Sequence, residues 1–295
     1  MGASPLAAVP PASDLPRLIR LKYATGPSRW TGLIERRPPV ALLSDINEGD
    51  PEGAPWREML RAAGIDDVVS TVFADRFGCW GFLDLWRAGS VPFGELDRDL
   101  LGHIASAVTT ALRAGQARTF ASPREREDRA VGPMVLLLDN ELHVVEQTPS
   151  TDTWLRVLVP VAADRPAIPA AAYNVGAQLL AIEQRIDDHP PYTRVHLAGG
   201  RWVTLRAARI SDSRIAVTIE DSVPADRLDM FARSHGFTPR ETELLVHLAA
   251  GDDTHEIARR MLVSENTVQD HLKAVFAKAS ARNRPSLLSR ALGTR

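Results

Sequence analysis

The decisive stretch of this chain runs from Phe237 to Leu292. It carries three blocks: FTPRETELL at 237–245, EIARRMLVSENTVQDHLK at 256–273 and KASARNR at 278–284. Thr238-Pro239-Arg240-Glu241 is a capping box with proline at the first helical position. Leu244, Leu245, Leu248 and Ala249 then fall on one helical face, and Gly251 ends the helix. Asp253, with Glu256 three residues on, opens a second helix with Ile257, Ala258 and Met261 inside. After the turn at Leu262-Val263, Ser264 caps a third helix, whose inner stripe is Val268, Leu272, Val275, Phe276 and Ala279. A fourth follows Asn283 and carries Leu287, Leu288, Ala291 and Leu292.

Two short helices joined by a tight turn, with the second displayed, predict helix-turn-helix geometry. The outward stripe of the third helix is Asn266, Gln269, Asp270 and Lys273. Glutamine pairs with adenine edges, aspartate accepts from cytosine N4, and lysine reaches guanine or phosphate. Ser264 and Thr267 stand at the helix N-terminus, where hydroxyl and backbone N–H groups grip a phosphate. The same four capped helices would also suit a protein-docking module, with the polar stripe merely solvated.

The three blocks, in register, closely resemble the LuxR/NarL-type DNA-binding domain of bacterial transcription regulators. The resemblance implies a four-helix domain over 236–295 that binds double-stranded DNA as a homodimer, with RNA polymerase as a partner. It places Gln269, Asp270 and Lys273 on the base-reading face. It gives Thr267, His271, Lys278 and Arg284 to positions that hold the DNA backbone or the fold, and Val268 to the core. There are departures. Ser280 stands where the family often has glycine, and Gln269 where it often has a basic residue. The segment holds 9 Lys+Arg against 7 Asp+Glu, a net charge of only +2, which implies dimerisation or a low non-specific affinity.

Composition bounds the rest. The chain has 295 residues, 44% hydrophobic and 24% charged, with formal charge 35 − 37 = −2. That length fits about two or three domains, and the charge offers no global basic field. The lone cysteine, Cys79, excludes an intrachain disulfide and any multi-cysteine metal site. No apolar run approaches the ~18 residues of a membrane span. The N-terminus lacks a basic signal-peptide region, and Leu6 stands where a myristoylation site needs Ser or Thr. A cytoplasmic protein is expected. The only lysines are Lys22, Lys273 and Lys278, so no phosphate-loop lysine exists between them. There is no G-x-S-x-G or H-E-x-x-H, so no enzyme, metal or cofactor is expected.

The expected organisation is a disordered proline-rich leader (1–16), an α+β module (17–120), a charged linker (121–130), a second α+β module (131–222), a connector helix (223–235) and the helix-turn-helix domain (236–295). In the first module, helices are read at 18–23 and 56–63, and strands at 39–43, 67–73 and 77–86. The last strand is apolar on both faces and so predicts a covered, central position. Leu96, Leu100, Leu101, Ile104, Val108 and Leu112 predict an amphipathic helix of about 20 residues. In the second module, strands at 134–138 and 142–146 flank the turn Asp139-Asn140. A helix covers 170–185, a hairpin turns at Gly199-Gly200, and a last strand runs over 214–220.

GPMVLLLDNELHVV (132–145) and RVHLAGGRWVTLRA (194–207) give the second module a resemblance to PAS-like sensor domains. RFGCWGFLDLWR (76–87) and the long helix after it resemble a GAF-like domain. A GAF-like domain would open with a helix and two strands, so this one reads as truncated or eroded. The order implies a multidomain fold, GAF-like then PAS-like then helix-turn-helix, of actinobacterial type. Its activity would be modulated by a small-molecule ligand or partner at the sensor-like modules. The alternative is a signalling scaffold whose front half binds another protein.

Other candidates have blander readings. Asp45 is a turn aspartate rather than a phospho-acceptor, and Cys79 a core thiol rather than a redox sensor. His143 and His196 lack partners at ligand spacing. His189 with Asp187-Asp188 reads as a loop, and the six tryptophans as core.

Overall fold

The computed structural model describes residues 12–25, 29–47, 49, 51, 53–121, 134–158, 167, 169–197 and 201–293. The predicted leader up to residue 11, almost all of the predicted linker and the Gly199-Gly200 turn lie outside these residues. Within the rest of the stretch read as leader, Ala12–Asp14 is a 3-10 turn and helix α1 (Leu15–Ala24) begins at once.

The front of the molecule holds two antiparallel sheets. In the first, β1 (Val40–Leu42), β2 (Asp67–Asp75) and β3 (Gly78–Arg87) lie in that order, with Thr71 opposite both Val40 and Leu83. The short helices α2 (Trp30–Leu33) and α3 (Ala54–Ala62) precede β2, and α3 stops before Gly64, whose φ of +71° suits glycine. The β-branched run of β2 is buried from Asp67 to Phe73, so β2 is the covered strand. This corrects the expectation for 77–86. With β1 on the other side of β2, β3 is an edge, and Phe82 and Leu85 stay 42% and 39% exposed. Trp30 stacks on Phe82, with ring centroids 5.2 Å apart, without covering it.

Helix α4 (Glu95–Arg118) forms where the periodicity predicts it. It buries Leu101, Ala105 and Thr109, and leaves much of the predicted apolar stripe in solvent.

The second sheet has the order β5-β4-β8-β7-β6, all antiparallel. Its strands are β4 (Met134–Leu138), β5 (Val144–Gln147), β6 (Tyr192–Leu197), β7 (Arg201–Ser211) and β8 (Arg214–Asp221). The strand read at 142–146 starts later. Leu142 takes φ +66° and is fully buried, while Asp139 accepts bonds from the Glu141 and His143 N–H groups. Helix α5 (Pro149–Leu158) was not anticipated, and α6 (Ala170–Glu183) fills the place read as helix. Gly176 lets α6 approach closely, since a Cβ there would lie 2.9 Å from Leu142.

The two sheets are not separate bodies, because α1 is a layer common to both. Its Lys22 bonds Ser70 of β2 and pairs with Asp84 of β3 at 3.3 Å. On the other side Tyr23 donates to Asn174 of α6 at 3.2 Å, and Arg20 pairs with Glu141 at 2.6 Å. One buried cluster runs from Leu18 and Tyr23 through Trp56 and Val68 to Tyr173 and Val217. Lys22 is fully buried, and that burial lowers its pKa against the opposing charge of Asp84.

The rest is helical: α7 (Pro224–Ser234), α8 (Pro239–Ala250), α9 (Thr254–Met261), α10 (Glu265–Ala279) and α11 (Arg284–Leu292). Helix α7, read as a connector, shares their core. Phe231 is fully buried in the same cluster as Leu244, Ile257, Val268 and Leu287. Phe120 and Trp202, from the front, belong to that cluster too.

Candidate nucleic-acid interface

Each helix of the C-terminal domain starts on the side chain its sequence supplies. Thr238 accepts from the Glu241 N–H at 3.3 Å, while Glu241 accepts from the Thr238 N–H at 2.6 Å. Asp253 and Glu256 repeat the exchange at 2.9 and 3.1 Å. Ser264 accepts from the Thr267 N–H at 3.1 Å, and Asn283 from the Ser286 N–H at 2.9 Å. Gly251 ends α8 with φ +90°. Leu262 turns the chain between α9 and α10 with φ +56°. Ser280, where glycine was the common residue, takes the left-handed conformation at φ +49°.

Helix α10 is held from beneath by Val268, Leu272, Val275 and Ala279, all buried. Asn266, Gln269, Asp270 and Lys273 stand together on its outer side, all exposed. Lys273 reaches back to Asp270 at 3.0 Å, one turn away, and both side chains are about three-quarters in solvent. Ser264 is exposed at the start of the helix, its hydroxyl 2.9 Å from that of Thr267.

The remaining predicted residues lie elsewhere. His271 is half-buried on the flank of α10. Lys278 donates to both carboxylate oxygens of Glu241, at 2.9 and 2.6 Å, and to the Gly236 carbonyl at 3.2 Å. Burial pushes the Glu241 carboxyl up, but the Lys278 ammonium and the Thr238 N–H outweigh it and hold it below the usual range. Arg284 donates to Thr254, joining the starts of α11 and α9. Both residues thus brace helices and do not share the stripe of α10.

Sequence reasoning gave no role to the exposed Arg259 and Arg260 on α9 or to the exposed Arg282 after α10. The adjacent pair at 259–260 was a readable signal. Arg260 also lies 3.3 Å from Asp252.

Elsewhere the alternatives stay bland. Asp45 is engaged by Arg98 at 2.6 Å and Arg36 at 3.4 Å. Burial raises the pKa of Cys79, the opposite of a reactive thiol. His196 lies against Trp202 with its pKa lowered by burial. Among the described residues, Asp187, Asp188 and His189 alone bring three ligand-type atoms within 4.8 Å. Asp187 is already taken by Thr31, Arg29 and His189. No helix among the described residues is long and apolar enough to cross a membrane.

Residues 235–291 match the GerE model of bacterial regulatory proteins, luxR family. They form a LuxR-type helix-turn-helix domain. Over 52 residues the chain is 44% identical to the probable csgAB operon transcriptional regulatory protein of Salmonella typhimurium. It is equally similar to the CsgBAC operon transcriptional regulatory protein of Escherichia coli. The match spans 18% of this chain and only 24% of each relative. Among solved structures, a Vibrio cholerae VqmA dimer described as a LuxR-type receptor is 16% identical, covering 56% of this chain and 84% of that one at a TM-score of 0.20. A VqmA–ligand–DNA complex is 17% identical, covering 56% and 83% at a TM-score of 0.23.

Proposed function

We propose that this chain is a sequence-specific, DNA-binding transcription regulator that reads DNA with α10. The observation that carries this reading is the exposed stripe Asn266, Gln269, Asp270 and Lys273 on a helix locked from below, inside the LuxR-type domain. Gln269, Asp270 and Lys273 address base edges, with Asn266 beside them. Ser264 and Thr267 present hydroxyls and N–H groups to a phosphate at the N-terminus of α10. Arg259, Arg260 and Arg282 add phosphate contacts. His271, Lys278 and Arg284 hold the domain in shape behind that face. With a net charge of +2 over 236–295, one domain binds weakly, so the working form is a homodimer on two half-sites. The front sheets, which we read as GAF-like and PAS-like, receive a ligand or partner and bias the protomer arrangement; RNA polymerase is the expected downstream partner.

The test is to incubate the full-length protein with sheared genomic DNA at near-physiological salt and sequence what is retained. A two-fold-symmetric enriched motif is expected. Absence of any enriched sequence, with salt-insensitive retention, would identify the C-terminal helices as a docking module.

A further inference from the structure

An apolar stripe of α4 faces solvent. On α4, Leu96, Leu100 and Ile104 are 87%, 62% and 40% exposed. Ala107, Ala111 and Ala114 continue the same side of the helix and are also exposed. The stripe has a definite direction. Arg98 donates to the Val40 carbonyl at 3.2 Å and Gly102 lies against Pro38, so one flank of α4 faces β1. Asp97 meets Arg87 of β3 at 3.5 Å on the opposite flank, the flank that carries the stripe. There β3 is an unpaired sheet edge. Leu112 of α4 lies above Gly81, and Leu85, two pleats along the same face, is exposed. The stripe runs beside this strand edge along a helix of about 36 Å. Contiguous apolar surface of this kind is rare on monomers and marks an interface.

We propose that a second copy of this chain covers this surface, with the two α4 helices antiparallel about a two-fold axis at Ala107. The residues of α4 select that occupant. Its first half is large (Leu96, Leu100, Ile104) and its second half small (Ala107, Ala111, Ala114). Antiparallel pairing about Ala107 seats Leu100 of each copy over Ala114 of the other and lays Leu96 along the aliphatic stem of Arg118. It also brings the acidic first turns, with Asp99 exposed, toward the exposed Arg118 of the opposite end. A parallel pair would set leucine on leucine and carboxylate on carboxylate. The surface stands on α4 and β3 alone and does not depend on DNA being bound.

Sedimentation velocity of the full chain without DNA tests the assignment. The wild type is expected at twice the chain mass, and Leu100→Glu with Ile104→Glu at the chain mass with an unchanged far-ultraviolet spectrum. In a Cys79→Ser background, mild oxidation should cross-link Ala107→Cys, which meets its own copy at the axis. Leu100→Cys should cross-link only when paired with Ala114→Cys. A monomer at every concentration, a dimer that survives the double glutamate variant, or equal cross-linking of Leu100→Cys alone would each overturn the proposal. Genomic enrichment is read separately, so loss of DNA binding and loss of this interface are distinguishable.

Discussion

At the residue scale, two lysines of the C-terminal domain have opposite duties. Lys273 is free to swing, since its bond to Asp270 is on the surface and worth little. If it reads a base, Lys273→Ala should weaken binding by about 1–3 kcal/mol at one operator position and relax preference there. Competition with duplexes substituted base by base measures this. A uniform loss over all duplexes with a shallower salt slope would make Lys273 a phosphate contact. Lys278 is structural, because it satisfies a buried carboxylate. Lys278→Met leaves Glu241 under-paired and should cost about 1–3 kcal/mol of stability at neutral pH. The folded-state pKa of Glu241 lies below its unfolded value. Its contribution is therefore full above the ordinary carboxylate range and is lost as pH falls through the folded value. Denaturant midpoints from pH 7 to pH 3 should fall for the wild type, with a flatter acid limb for Lys278→Met. Parallel limbs would contradict the assignment.

At the scale of the element, short-range chemistry was legible and long-range coverage was not. Thr238, Asp253, Ser264 and Asn283 announced four helix starts because a cap involves only residues within one turn. Periodicity likewise located α4, but it says only that a face is apolar, not what covers it. Here solvent meets Leu96 and Leu100, while Ala105 and Thr109 go inside. The run at 77–86 failed for the same reason, since strand order decides which apolar strand is central. The outer stripe of α10 was readable because Val268, Leu272 and Val275 fix the opposite side. The partner that Lys278 braces was not, since Glu241 lies 37 positions away. The turn between α9 and α10 carries its own expectation. Leu262 is 90% exposed and holds a left-handed φ of +56°, which costs a side-chain-bearing residue about 1–2 kcal/mol. Leu262→Gly should therefore raise stability by about 0.5–1 kcal/mol after the entropy of glycine in the unfolded chain is subtracted. Leu262→Val should lower it. A urea titration that ranks valine above glycine would show that this turn is not left-handed in solution.

At the scale of the molecule, the DNA-binding domain is joined to the front through packed aromatic rings. Phe120, just after α4, stacks on Trp202 of β7 at 5.5 Å and meets Phe231 of α7 edge-on at 5.3 Å. Around them, Arg194 of β6 holds Asp226 and Asp229 of α7 at 2.7 and 3.1 Å. Arg233 of α7 donates to the Phe77 carbonyl beside Gly78, where a Cβ would strike the guanidinium. Helix α7 is thus clamped at both ends, and under the proposed regulation this junction is the route by which a change in the front sheets would reach α10. Phe120→Ala removes a ring that is 1% exposed and should cost about 3–5 kcal/mol at the junction. In the wild type, tryptophan fluorescence, which reports chiefly on the front, and helical circular dichroism should melt together. In Phe120→Ala the helical transition should separate from the fluorescence transition, because the C-terminal helices keep their own core of Leu244, Ile257, Val268 and Leu287. DNA affinity measured below both transitions should be retained. Coincident transitions in the variant would place the coupling elsewhere, and a loss of DNA affinity with folded helices would mean that the front shapes the recognition face directly.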